Sequence, residues 1–442
     1  MKLKSIKVLA VLIALVLIFL FTFEGCSTTA EINNTLPYLL ELRYMWGGEG
    51  RNFYFDVNPI KKQPEIRKIF TGEPLEWFFH YSMPREDITY TPFFASPPVF
   101  YKDVLYFEDT GGIYYAIDVK TGKIKWKQDI QVDPNQLNPR FASPPLIIDN
   151  IVFFAGGSFY GLDINSGEIV YKQDIGTINA PGFKDGIIYL SIASNIKRTA
   201  TVVGIDVTKG KIVAKHILDK FGYIKAPLFY KDSVIVYDEC GDIYSLDLKT
   251  LNLKWEIKQQ DVYSCSYSVC ISNNKLFLVW WDLHPTLLRK MQCTAIDPEN
   301  GKILWEVSFE EEEREEDKNL IIEEYGYIFY PFVVSDGNNI YFGNNKGLIY
   351  AVDNTGKLLW KIKTEPLGSI SSFTRNVPVI SKDTLYIVTT EGHHSGYLYA
   401  IDTKTSKILF KYPLPARAEY SVTVADNKVY VTSGLQIFEL KN

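Results

Sequence analysis

The sequence predicts an all-β fold: an eight-bladed propeller of four-stranded antiparallel blades, its ring closed by pairing N-terminal and C-terminal strands. Three observations carry that prediction. A phrase, clearest as Tyr115-Ala116-Ile117-Asp118-Val119-Lys120-Thr121-Gly122-Lys123-Ile124-Lys125-Trp126, recurs along the chain at a spacing of roughly 40–50 residues, as in propellers and solenoids. A short hairpin turn recurs eight times, beginning with Lys102-Asp103. The eighth copy stops one strand short, and a candidate for the missing strand lies near the other end of the chain.

The N-terminus comes first. Lys2, Lys4 and Lys7 precede an apolar run from Val8 to Phe23, the layout of a secretory signal over residues 1–25. Gly25-Cys26 resembles the end of a bacterial lipoprotein signal, which would make Cys26 the lipidated first residue of the mature protein. Phe23 and Glu24 depart from that pattern, and an uncleaved anchor is the alternative. Both readings place the rest of the chain outside the cytoplasm. Residues 26–71 then read as a tether and an N-terminal strap, and residues 72–442 as the propeller.

Each blade reads as four strands. In the first, Phe94–Phe100 leads to a turn at Lys102-Asp103, and Val104–Phe107 is aromatic and β-branched as strands prefer. Gly111-Gly112 turns the chain into Ile113–Asp118, and Val119–Gly122 turns it again into Lys123–Lys127. In that last strand Ile124 and Trp126 share one face and the lysines the other. The turn aspartates are Asp118, Asp163, Asp206, Asp247, Asp297, Asp353 and Asp402, placed to bond backbone N–H groups. The aromatic position of the last strand holds Trp77, Trp126, Tyr171, Ala214, Trp255, Trp305, Trp360 and Phe410. Pro74–Phe79, with Trp77, is expected to supply the outer strand that the eighth copy lacks.

The motif A-x-D-x-x-T-G-K-x-x-W, in seven or eight copies, resembles the pyrroloquinoline-quinone-like propeller repeat. The resemblance runs from Glu73 to Leu440, and Trp46-Gly47-Gly48 with Arg51 is similar to the lead-in found before the first blade of such proteins. It implies one of two classes. Quinoprotein dehydrogenases hold a quinone over the channel with calcium bound by a Glu, an Asn and an Asp, and many carry adjacent cysteines. The other class includes the lipoprotein propeller subunit of the outer-membrane β-barrel assembly machinery, which has no cofactor. This chain has no adjacent cysteine pair, and the calcium ligands match no specific positions.

Composition narrows the partner. The net charge is −5, and loss of the first 25 residues, with three lysines and one glutamate, makes it −7. An acidic protein without a basic cluster does not bind nucleic acid through phosphates. Beyond Cys26 the cysteines are Cys240, Cys265, Cys270 and Cys293, whose spacing gives little support for disulfides.

The sizeable insertions fall after second and fourth strands: Val132–Arg140, Ser194–Thr201, Trp281–Gln292, Glu310–Glu324, Pro366–Arg375 and Glu391–Gly396. One face is therefore decorated and the other plain, and binding is expected at the decorated one. Trp280, Trp281 and His284 there form an aromatic loop, either a partner anchor or a segment packed back on its blade. Arg140, Lys225, Arg375 and Arg417 enter innermost strands and would make the channel mouth positive, attractive to a carboxylate or phosphate. His393-His394 lacks a third metal ligand, and the acidic run Glu310–Asp317 reads as a solvated loop. The expectation is a monomeric, membrane-anchored, non-catalytic scaffold that binds a protein or peptide in the cell envelope and needs no cofactor. The alternative is a quinone- and calcium-dependent alcohol or sugar dehydrogenase.

Overall fold

A computed structural model describes residues 42–43, 54–72 and 97–442, except 110–111, 131–143, 156–157, 176, 179–180, 195–198, 219–223, 239–240, 260–266, 283–289, 311–330, 344–346, 365–377, 392–394 and 417–421. The leader, Cys26 and Trp77 lie outside the described residues.

Consecutive strands pair antiparallel into eight sheets that follow one another along the chain. Blade one, from channel to rim, is Val99–Tyr101, Val104–Glu108, Ile113–Asp118 and Ile124–Asp129. Turns between first and second strands take residues with positive φ, both in Lys102-Asp103, Asn273-Asn274 and Asp426-Asn427. Such turns match the right-handed twist of the strands they join. The core lies between blades, where faces such as Tyr106, Tyr114 and Trp126 of blade one pack on Val152, Phe154 and Leu162 of blade two.

The recurring phrase is the device that joins one blade to the next. Asp118 Oδ1 accepts from the Thr121 N–H and hydroxyl, both at 2.8 Å, which fixes the turn. The carbonyl just after the aspartate then faces the preceding blade and accepts the indole N–H of its outer strand. Trp126 donates to Ile164 O at 3.0 Å, Trp255 to Pro298 O at 3.1 Å, Trp305 to Asn354 O at 2.9 Å and Trp360 to Thr403 O at 2.8 Å. The glycine of the turn lies under the same ring. A Cβ at Gly167 would sit 2.6 Å from Trp126 Cδ2, and its φ is +74°. Inside its own blade each aromatic lies opposite a small residue, Ala116 for Trp126 and Ala295 for Trp305, which leaves room for the indole.

Blade three carries Ala214 in the aromatic position and uses another donor. Tyr189, on its second strand, donates from its hydroxyl to Leu248 O at 2.6 Å, the carbonyl after Asp247. The contact survives although the residue making it has moved two strands inward.

Closure uses a different segment from the one expected. Glu65–Thr71, not Pro74–Phe79, pairs antiparallel with Gln436–Lys441 and completes blade eight. In the closing strand the work of the indole is divided. Ile69 approaches Gly122 of blade one, and Arg67 donates to Val119 O at 2.5 Å and Lys120 O at 2.9 Å. Val119 follows Asp118, so a guanidinium replaces the indole. The same guanidinium lies 3.2 Å from Glu439 Oε1, and Lys428 Nζ lies 2.9 Å from Oε2. These cations hold the buried Glu439 carboxyl below its ordinary range against the opposing effect of desolvation.

Upstream of the closing strand the chain is paired inside the ring. Leu42–Arg43 adds antiparallel to the innermost strand of blade two, Leu146–Ile148. Tyr54–Phe55 adds parallel to the innermost strand of blade seven, Val379–Ser381. These directions mean that the chain runs toward the decorated face at blade two and returns toward the plain face at blade seven. It then passes beneath blades seven and eight. Ser381 donates to Val57 O at 2.8 Å, and the Asn58 N–H to Asn427 Oδ1 at 3.0 Å. Tyr386 accepts from the Ile60 N–H at 2.6 Å and donates to Ile60 O at 3.2 Å. Blade eight has no aspartate turn, because its outer strand is not continuous with its third. Ile60 stands in that place and meets the tyrosine of blade seven as Leu248 meets Tyr189.

Candidate functional site

The decorated face is built from strands as much as loops. Second strands run five residues in blade one (Val104–Glu108) and blade four (Ser233–Tyr237). They run eight in blade three (Ile187–Ser194), blade five (Lys275–Asp282) and blade seven (Thr384–Glu391). Their third strands are Thr199–Asp206, Lys290–Ile296 and Ser395–Asp402. Three tall hairpins from alternate blades therefore rise on this face. Much of what composition presented as insertion at Ser194–Thr201, Trp281–Gln292 and Glu391–Gly396 is paired ladder.

This corrects the aromatic loop. Trp280 and Trp281 are strand residues opposite Gln292 and Met291. Trp280 is half-buried and packs on the cluster between blades four and five, with its ring 6.2 Å from that of Tyr267. It is a packing residue because strand alternation turns it toward blade four. His284 lies outside the described residues. So do Arg140, Arg375 and Arg417, and the positive channel mouth with them. Lys225 is described: its N–H donates to Tyr237 O at 2.8 Å, and its carbonyl accepts from Ser191 at 3.2 Å. That stitches blade three to blade four at the channel.

Short blades carry acidic turns that sequence reasoning missed. In blade one, Asp109 accepts from the Ile113 N–H at 3.0 Å and from the Tyr115 hydroxyl at 3.0 Å. In blade four, Asp238 accepts from the Asp242 N–H at 2.9 Å, and Asp242 from the Gln259 N–H at 2.9 Å. An aspartate three residues before a positive-φ glycine, Gly112 or Gly241, is the signal that could have found them. Burial, then the adjacent Asp109 charge, push the Glu108 carboxyl well above its ordinary range, though a hydrogen bond with Tyr114 opposes them.

Among the described residues no group of three or more His, Cys, Asp or Glu could hold a metal ion. Cys270 and Cys293 are free and buried. They sit on the first and third strands of blade five, with the second strand between them. Two strand spacings are about 9.5 Å, beyond the reach of a disulfide. Burial pushes both thiols up, and both pack as small apolar groups.

Comparison with known proteins bears on this geometry. A family model described as "Outer membrane protein assembly factor BamB" matches residues 93–216, 196–353 and 345–440. No curated protein matches. Among solved structures, the chain is similar to the computationally designed Ika8 protein, with a TM-score of 0.58 and 13% identity over 85% of this chain and 99% of that one. It is similar to a quinohemoprotein alcohol dehydrogenase from Comamonas testosteroni (0.59, 12%, 89% and 79%) and to a europium-containing methanol dehydrogenase (0.57, 14%, 89% and 90%). At these identities the likenesses show the fold and leave function to the site.

Proposed function

The chain belongs to the family described as outer membrane protein assembly factor BamB, and from that premise we propose that it is a non-catalytic scaffold of the cell envelope. It is exported, held at a membrane through Cys26 or an uncleaved leader, and binds a protein or peptide at the face carrying the three tall hairpins. The observation that carries this reading is the channel. Its wall at blades two and seven is covered by the chain's own Leu42–Arg43 and Tyr54–Phe55. A propeller that lines its axis with its own backbone has turned its binding outward. The absence of an adjacent cysteine pair from the sequence supports the same side.

Crosslinking in intact membranes tests the proposal, with photoreactive side chains placed at 195–198, 283–289 and 392–394. Adducts to one envelope protein, lost on exchanging these segments for short glycine–serine sequences, are expected. A quinoprotein dehydrogenase is the competing class. Stoichiometric uptake of pyrroloquinoline quinone with calcium, and dye reduction by alcohols or aldoses, would overturn the scaffold reading.

A further inference from the structure

The outer strands of a propeller expose eight open edges to water, and proteins guard such edges with charge or proline. At one position of the outer strand this chain does so in five of its seven continuous blades. Three residues beyond the aromatic position stand Asp129, Asp174, Lys258, Lys363 and Pro413 in blades one, two, four, six and seven, and the polar but uncharged Ser308 in blade five. In blade three the residue is Ile217. Blade three is also the copy with Ala214 in place of the aromatic.

Its outer strand, Lys211–Leu218, carries Ile212, Val213 and Ile217 at 42%, 48% and 51% exposure, while no other described outer strand exposes more than two large aliphatics. Val213, Lys215 and Ile217 alternate onto one face. The strand has eight residues, no proline and no acid, and among the described residues nothing pairs with its outward edge. Lys172 and Lys254 on other outer strands have Asp174 and Asp232 as ion-pair partners. Among the described residues Lys211 and Lys215 have no such partner.

We propose that Lys211–Leu218 is a docking edge for an extended segment of another protein that alternates aliphatic with acidic side chains and adds as a fifth strand of blade three. The backbone of an open edge supplies the hydrogen bonds, and the alternating side chains supply the choice of partner. Aliphatics of the incoming strand cover Val213 and Ile217, and its carboxylates meet Lys211 and Lys215. A second copy of this chain would bring more lysine and no acid, so charge selects a different protein. The site lies on the rim and goes beyond the reading of the decorated face.

A fluorescein-labelled ten-residue peptide alternating isoleucine or valine with glutamate, titrated against the full chain, tests the proposal by anisotropy. Saturable binding is expected, with slowed hydrogen exchange confined to Lys211–Leu218. Ile217→Lys restores the residue type of blades four and six and should weaken binding about tenfold, the effect of losing about 1.4 kcal/mol. Its unfolding midpoint should not move, because Ile217 is exposed. Val213→Lys should act likewise. No binding up to about 1 mM, the weak end of specific affinity, overturns the proposal. Equal binding of a peptide alternating isoleucine with lysine overturns it too, as does binding untouched by both substitutions. Sedimentation as a dimer that Ile217→Lys dissolves would assign the edge to self-association instead.

Discussion

Replacing Arg67 with methionine tests how the ring is held shut. The guanidinium makes two charged hydrogen bonds to blade one and one ion pair to Glu439, whose side chain is only 4% exposed. A hydrogen bond involving a charge contributes about 1.5–3 kcal/mol, but Arg67 is 43% exposed and water replaces part of each. The expected loss is about 2 kcal/mol, including the cost of leaving Glu439 with Lys428 alone. Arg67→Lys keeps the charge without the fork and should recover less than half. Urea unfolding followed by tryptophan fluorescence measures the loss, and hydrogen exchange over Glu65–Thr71 locates it. A change below about 0.5 kcal/mol with unaltered exchange in that strand would refute the latch, since a surface pair of no consequence behaves so.

Tyr189→Phe leaves Leu248 O without its hydroxyl donor and should cost about 1–3 kcal/mol, read by the same unfolding assay, with no change in fold. Gly167→Ala combines a positive φ with a clash on Trp126, whereas Gly186→Ala, at φ +79°, meets nothing within 4 Å. The first should therefore lose at least about 1 kcal/mol more than the second in thermal unfolding. Desolvation opposes it, but hydrogen bonds from Lys209 and Thr208 lower Asp206 from 3.8 to about 2. Its folded value lies below its unfolded one, so its contribution is complete above about pH 4 and lost as pH falls through 2. Asp206→Asn should flatten that part of the stability–pH curve. Cys270 and Cys293 should resist thiol reagents until the protein unfolds, and reductant should leave their reactivity unchanged.

The blade count and its turns were legible because each blade repeats residues that backbone geometry demands, such as Asp118 and Gly122. The closing strand was hidden for a definite reason. Its register signal is aromatic in six of the seven continuous blades, but in Glu65–Thr71 the same work is done by Ile69 and Arg67, which no periodic pattern marks. Leu42–Arg43 and Tyr54–Phe55 join the ring through backbone pairing, which leaves little trace in side-chain type. The tall hairpins read as insertions because Trp281–Gln292 departs from the short-blade length whether it is loop or ladder. Trp280 illustrates the ambiguity: one strand position decides whether an indole faces solvent or a neighbouring blade.

The closure through Glu65–Thr71 also sets an order in time. These residues leave the ribosome before any complete blade, and their partners, Gln436–Lys441, only after blades one to seven. Throughout synthesis the growing array ends in two unmatched edges, and contacts of such long sequence separation form slowly. Blades one to seven can assemble by local pairing as they emerge, but Arg67 can meet Glu439 only after Gln436–Lys441 has emerged. The last folding event therefore belongs to one of the oldest segments, and a chain cut short anywhere upstream of Gln436 remains an open arc.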